Sequence, residues 1–201
     1  MAYASWAIPA KQSGSGNDTV NWTGQPHTGR VQRTTTATFN ASGVNPVQLT
    51  INQTGKTEFV SMDDSASVSK TGGTVTVSGV SNSSKLTFSI SQDGIGLTPI
   101  TSYIAAGASA TNGQAIADDP GAAAQYEFSV TFTGIGENET ISPKTAQITV
   151  MDNAGHSDTC LITQASGDAY LSIVPTEITL SADGTPAVSV AVTSNTSWTI
   201  S

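Results

Sequence analysis

Tyr126–Thr133 reads YEFSVTFT, and in it Tyr126, Phe128, Val130 and Phe132 alternate without a break with Glu127, Ser129, Thr131 and Thr133. Successive side chains of a strand point to opposite faces, so this period of two marks a β-strand with one buried face. The same period recurs on both sides of it. Upstream, Lys85–Ser91 sets Leu86, Phe88 and Ile90 on one face, and Thr74–Val80 does the same with Val75 and Val77. Nearer the start, Thr34–Asn40 carries Thr35, Ala37 and Phe39, and Val47–Gln53 carries Val47, Leu49 and Ile51. Downstream, Thr145–Met151 and Asp158–Gln164 flank the turn residues Asp152-Asn153-Ala154-Gly155, which predicts a hairpin. Further strands are expected at Thr19–Thr23, Phe59–Met62, Ser67–Ser69, Leu97–Ile104, Tyr170–Ile173, Glu177–Ser181, Ala187–Thr193 and Ser197–Ser201. The expected class is all-β, with no helix longer than about two turns.

Composition agrees with that class and excludes several functions. Charged residues are 11% and aromatics 6% of the 201 residues. Helical bundles draw on Leu, Glu, Lys and Arg, which are scarce here. The formal net charge is −8, which disfavours nucleic acid or an anionic membrane as a partner. No apolar run reaches the ~18 residues of a membrane span. Cys160 is the only cysteine, so no intrachain disulfide is available, and its place in an alternating run reads as a small buried hydrophobe. The first residues carry neither a basic stretch nor an apolar one, so no signal peptide is expected. With Met1 as the natural start, synthesis in the cytosol follows.

Self-similarity divides the chain into three pieces. VQLTINQTG (Val47–Gly55) returns as TCLITQASG (Thr159–Gly167), and Thr36–Phe39 returns as Thr145–Ile148. Trp22-Thr23-Gly24 returns as Phe132-Thr133-Gly134. Ser81-Asn82-Ser83-Ser84 returns as Ser194-Asn195-Thr196-Ser197, with Phe88 matching Trp198. The first set pairs the N-terminal piece with the second half of a central unit. The second pairs the C-terminal piece with its first half. The expected division is therefore 1–56, the second half of a domain; 57–167, a complete domain with a long insertion at 92–124; and 168–201, the first half of a domain. The insertion is rich in Gly, Ala and Asp, and is expected to be the most exposed and mobile part of the central unit.

The SNTSW run at Ser194–Trp198, a second Trp at Trp6, the Gly14–Asn17 turn, Arg33 before a TAT strand and the closing Val47–Gly55 strand together resemble the BACON domain. That family is an immunoglobulin-like sandwich found in Bacteroidetes proteins and in the crAss-like phages that infect them. The central unit departs from the pattern, with Phe88 in place of the first Trp and no clear second Trp or Arg. The resemblance implies tandem immunoglobulin-like sandwiches, no catalysis, and a role as a spacer or as a glycan- or mucin-binding module.

Catalytic and metal-binding arrangements are not found. His27 and His156 lie in different repeats, without a cluster of Cys, Asp or Glu at metal-ligand spacing. His156-Ser157-Asp158 holds three catalytic residue types in a row, but neighbours on a strand face opposite ways and cannot form a relay. Asp118–Gly121 and Asp152–Gly155 are oxygen-rich, and turn chemistry accounts for both. No cofactor or metal is expected. Of Tyr103, Tyr126 and Trp22, the two latter belong to strand faces, and Tyr103, beside the long insertion, is the candidate glycan contact.

The expected function is non-enzymatic: a structural protein of a phage virion, as head decoration, head fibre or tail-associated subunit, made in the host cytoplasm. Its partners would be other copies of itself or other virion proteins, with host-surface or mucin glycan as a further candidate. The alternative is a carbohydrate-binding or adhesin module from a longer Bacteroidetes cell-surface protein. The terminal pieces are expected to complete one another, between chains as the favoured arrangement and within one chain as the alternative. Trp6, Trp22 and Arg33 on one piece, and Leu180, Val188, Val190, Trp198 and Ile200 on the other, are the residues expected to carry that assembly.

Overall fold

The computed structural model describes residues 3–201; Met1 and Ala2, which open the first piece, lie outside them. The protein is all-β, with 45% strand and 2% helix. The helix is a single 3-10 turn at Pro120–Ala122.

The N-terminal piece holds two separate pairs. β1 (Ala7–Pro9) pairs with β2 (Trp22–Gly24), and β3 (Arg33–Phe39) pairs with β4 (Val47–Gln53), both antiparallel. The central unit holds nine strands: β5 (Val60–Met62), β6 (Ser65–Val68), β7 (Gly73–Ser81), β8 (Leu86–Asp93), β9 (Ser102–Ala105), β10 (Ala108–Thr111), β11 (Tyr126–Ile135), β12 (Lys144–Asp152) and β13 (Ser157–Gln164). They form two sheets, in the orders β10-β9-β11-β7-β5 and β6-β13-β12-β8. The C-terminal piece holds one antiparallel pair, β14 (Leu171–Val174) with β15 (Ala191–Ser194).

One apolar core lies between the two central sheets. Val75, Val77, Phe128, Val130 and Phe132 reach it from one sheet, and Leu86, Phe88, Ile148, Val150, Cys160 and Ile162 from the other. These are the residues that the period of two places on one face. Phe128 stacks edge-on against Phe88, with ring centroids 5.6 Å apart. The arrangement is a sandwich-like packing of two sheets.

The segment Gln92–Ala124 departs in part from expectation. It supplies β9, β10 and the 3-10 turn, and it buries Ile95, Leu97, Tyr103, Ala105, Ala110 and Ile116 in the core. It is therefore part of the sandwich, although most of its residues stay exposed, a larger share than in the rest of the central unit, as expected. The reason is that β9 adds to the edge of β11, pairing Phe128 with Ala105 and Ser129 with Ile104. Asn112 then ties the return path, accepting from the Phe88 N–H at 2.7 Å and donating to the carbonyls of Phe88 and Ile100. The strand expected at Leu97–Ile104 begins only at Ser102.

The C-terminal piece departs in the other direction. Glu177–Ser181 and Ser197–Ser201 are not strands, and of Ala187–Thr193 only the end is one. Their alternation is as regular as that of β7, but a strand also needs a neighbour to satisfy its backbone groups. Among the described residues these segments have none.

Candidate assembly interface

The hairpins of the outer pieces reproduce the register of the central unit. β3–β4 sets Arg33 opposite Gln53 and Phe39 opposite Val47; β12–β13 sets Lys144 opposite Gln164 and Val150 opposite Asp158, every residue 111 positions later. Likewise β5–β7 sets Val60 opposite Ser81, and β14–β15 sets Leu171 opposite Ser194, 111 and 113 positions later.

The joints between pieces are also built twice. At the first, the side chain of Asn82, wholly buried, accepts from the Phe59 N–H at 2.9 Å and donates to the carbonyls of Thr28 and Thr57, each at 3.2 Å. At the second, Asn195 accepts from the Tyr170 N–H at 3.0 Å and donates to the carbonyls of Glu139 and Asp168, each at 2.9 Å. Ser81 donates to the Phe59 carbonyl as Ser194 does to that of Tyr170. The Lys56 N–H meets the Gly29 carbonyl at 2.8 Å, and the Gly167 N–H meets the Thr140 carbonyl at 2.7 Å. The amide of Gln53 reaches the Gln25 carbonyl as that of Gln164 reaches the Gly136 carbonyl. An Asn amide suits this place because it offers an acceptor and two donors on one flat group, enough to hold three backbone strands at once.

The first joint has a clamp that the second lacks. The Arg30 guanidinium binds the Asp119 carboxylate with both of its terminal nitrogens and also donates to the Asn82 carbonyl at 3.1 Å. Asp119 holds the Arg30 pKa above its ordinary value. The N–H groups of Arg30 and Val31 meet the carbonyls of Gly121 and Ala122, both at 3.0 Å. Gly29 and Gly121 sit where a Cβ would collide with backbone, of Ala122 and Ala123 in one case and Asn82 in the other. At the second joint the position of Arg30 is taken by Ile141, which is exposed.

Two of the three assembly residues of the N-terminal piece, Trp6 and Arg33, come together, while Trp22 meets Tyr3. Arg33 lies over the Trp6 ring, 4.6 Å from its centroid, and its Nε donates to Gln53 at 2.8 Å. Trp22 packs edge-on with Tyr3, centroids 5.1 Å apart. The five residues of the C-terminal piece are not brought into a core: Leu180, Val188, Val190, Trp198 and Ile200 are all exposed.

Matched positions make the contrast plain. Val77 is 1% exposed, whereas Val190, its counterpart 113 positions on, is 37% exposed. Cys160 is 0% exposed, whereas Leu49, its counterpart 111 positions earlier, is 38% exposed. Val75 and Val188, Met62 and Ile173, and Val150 and Phe39 repeat the pattern. Each side chain is buried in the central unit, and its counterpart in an outer piece is open to solvent.

Tyr103 is not a surface residue. It is 3% exposed and its ring packs on Phe88, centroids 4.9 Å apart, so it has no face to offer a sugar. Its hydroxyl is buried, and burial raises its pKa. His156 pairs with the buried Asp152, Nδ1 to Oδ2 at 2.7 Å, and Asp152 also accepts from the N–H groups of Ala154 and His156. That is the chemistry of the β12–β13 turn. Among the described residues no group of His, Cys, Asp and Glu is arranged to hold a metal ion.

The joint residues Arg30, Asn82 and Asp119 escape a reading by pattern, because they lie in loops or strand ends outside any alternation. The returning Ser-Asn-Ser/Thr-Ser run was the available signal for Asn82 and Asn195. The chain matches no protein-family model and no curated protein.

Proposed function

We propose that this chain is a non-enzymatic structural and assembly protein, built of tandem immunoglobulin-like sandwiches and joined to its neighbours by completing half units. The immunoglobulin-like reading rests on strand order. β5, β7, β11 and β9 follow the A-B-E-D order of such a sandwich, and β8, β12 and β13 follow its C-F-G order. The parallel edge pairing of β6 with β13 suits a first strand that switches from one sheet to the other.

The observation that carries assembly is the exposure of Val188, Val190, Ile173, Phe39 and Leu49 at positions whose counterparts are core. Burying one such side chain stabilises by roughly 1.5–3 kcal/mol. The two half units expose complementary parts of one sandwich, so each is what the other lacks. Open strand edges add a drive toward pairing. Placement in a phage virion rests on the resemblance to the BACON family carried by Ser194–Trp198, Trp6, Gly14–Asn17, Arg33 and Val47–Gly55. Virion or sibling subunits are then the partners. With Tyr103 in the core, the glycan-binding alternative loses its candidate contact.

The test is mass against concentration, by light scattering or sedimentation. The full chain is expected to associate at micromolar concentration in multiples of its 20.5 kDa, and deletion of Asp168–Ser201 to abolish association. A full-length chain that stays monomeric throughout overturns the reading.

A further inference from the structure

We infer that the occupant of the C-terminal half unit is the N-terminal piece of a second copy, seated in one register that the central unit already displays. This rests on the assembly reading and adds the partner segment and its alignment.

The central unit supplies the template. Its two halves meet along three seams: β7 with β11, β8 with β12, and β6 with β13. Each seam has a free counterpart on the outer pieces. Gly73–Ser84 maps onto Pro186–Ser197 at an offset of 113, which carries Val75, Thr76 and Val77 onto Val188, Ser189 and Val190. Tyr126–Gly134 maps onto Gly16–Gly24 at an offset of 110, which carries Val130, Thr131 and Phe132 onto Val20, Asn21 and Trp22. The pairing of Val75 with Phe132, Thr76 with Thr131 and Val77 with Val130 then becomes Val188 with Trp22, Ser189 with Asn21 and Val190 with Val20.

The other seams agree with this choice. Val150 faces Phe88 across β12 and β8; their counterparts are Phe39 and, at an offset shortened to 110 after Ser197, Trp198. Ile162 faces Ala66 across the parallel pair. Ile51 stands for Ile162 at an offset of 111, and Ile178, in the alternating Glu177–Ser181, stands for Ala66 at an offset of 112, one residue beyond that of β5 and β14. The first seam fixes the register by a continuous mapping, the other two bring apolar partners together once these shifted offsets are taken, and together the seams provide ladder neighbours for the three C-terminal segments that lack them. A one-residue slip would turn every one of these side chains to the wrong face. The contact joins different surfaces of two identical chains, so it is head-to-tail and yields a ring or a fibre.

Thr76 and Thr131 supply the test, because their hydroxyls touch at 2.9 Å on the outer face of the sandwich, clear of the core. Their counterparts are Ser189 and Asn21. One protein carries Asn21→Cys and a second carries Ser189→Cys, each in the full chain, and the two are mixed under mild oxidation. Cys160, wholly buried, stays out of the exchange. The expected result is a disulfide-linked dimer of the two variants, formed at least ten-fold faster than with Ala187→Cys or Val190→Cys in place of Ser189→Cys. Equal rates at all three positions overturn the register while association by mass still stands. A double variant that closes its disulfide within one chain, and gives no cross-linked dimer on mixing, overturns the second copy as occupant. Absence of association by mass overturns the assembly reading itself.

Discussion

Asn82 and Asn195 make the same three hydrogen bonds in different surroundings, and replacing each with Ala separates geometry from burial. At the first joint, Asn82→Ala strands the Phe59 N–H and the Thr28 carbonyl, both on half-buried residues, while the Thr57 carbonyl lies at the surface and regains water. A buried polar group left without a partner costs about 1–3 kcal/mol, and two such groups on half-buried residues fall toward the lower end of the doubled range, about 2–4 kcal/mol. At the second joint, Tyr170, Glu139 and Asp168 are all exposed. Water replaces the lost amide there, and Asn195→Ala costs about 1 kcal/mol or less. Urea unfolding of the dilute protein, followed by far-ultraviolet circular dichroism, measures both. Tryptophan fluorescence is the wrong probe, since Trp6, Trp22 and Trp198 all lie outside the central unit. Equal costs at the two sites, or no cost at Asn82, would refute the claim that burial of the Asn82 joint gives it its strength.

Four further outcomes follow from the same structure. Gly121→Ala places a methyl group against the Asn82 carbonyl and is expected to lower the midpoint of thermal unfolding by a cost on the order of 1–3 kcal/mol; an unchanged midpoint would count against the tight joint. Asp119→Asn weakens the Arg30 clamp, whose side chains are 19% and 39% exposed, and with solvent screening its cost is about 1 kcal/mol by the same measurement. Limited proteolysis of the dilute, unassociated chain is expected to cut within Asp168–Ser201 before Gln92–Ala124, since the former is mostly exposed and the latter feeds the core; mass spectrometry of the first fragments decides.

Burial, with Asp63, Asp158 and Asp64 nearby, pushes the Cys160 thiol up to about 11. The folded state therefore favours the neutral thiol. Its contribution to stability is complete below the ordinary thiol range and is lost as pH rises from there through about 11. Thiol-reactive dye at pH 8 is expected to label Cys160 only after unfolding, and rapid labelling of the native protein would contradict this.

Residue order alone determined the strands that bury one face. Tyr126–Thr133, Lys85–Ser91, Thr145–Met151 and Asp158–Gln164 all form near the expected bounds, because their alternation needs only a core on one side. The repeat was equally legible. What only the tertiary structure decided is where each backbone found a neighbour. Ala187–Val190 and Glu177–Ser181 alternate like β7 yet remain unpaired, since hydrogen bonding across a sheet depends on a second segment that no local pattern specifies. Gln92–Ala124 lacks a strong period yet becomes β9 and β10, because the edge of β11 accepts it and Asn112 closes its return. Tyr103 moved from candidate surface to core for the same reason. The joints lay furthest from the sequence: Arg30 meets Asp119 and Asn82 meets Thr28 across 89 and 54 positions, distances over which only folding brings a side chain to its partner.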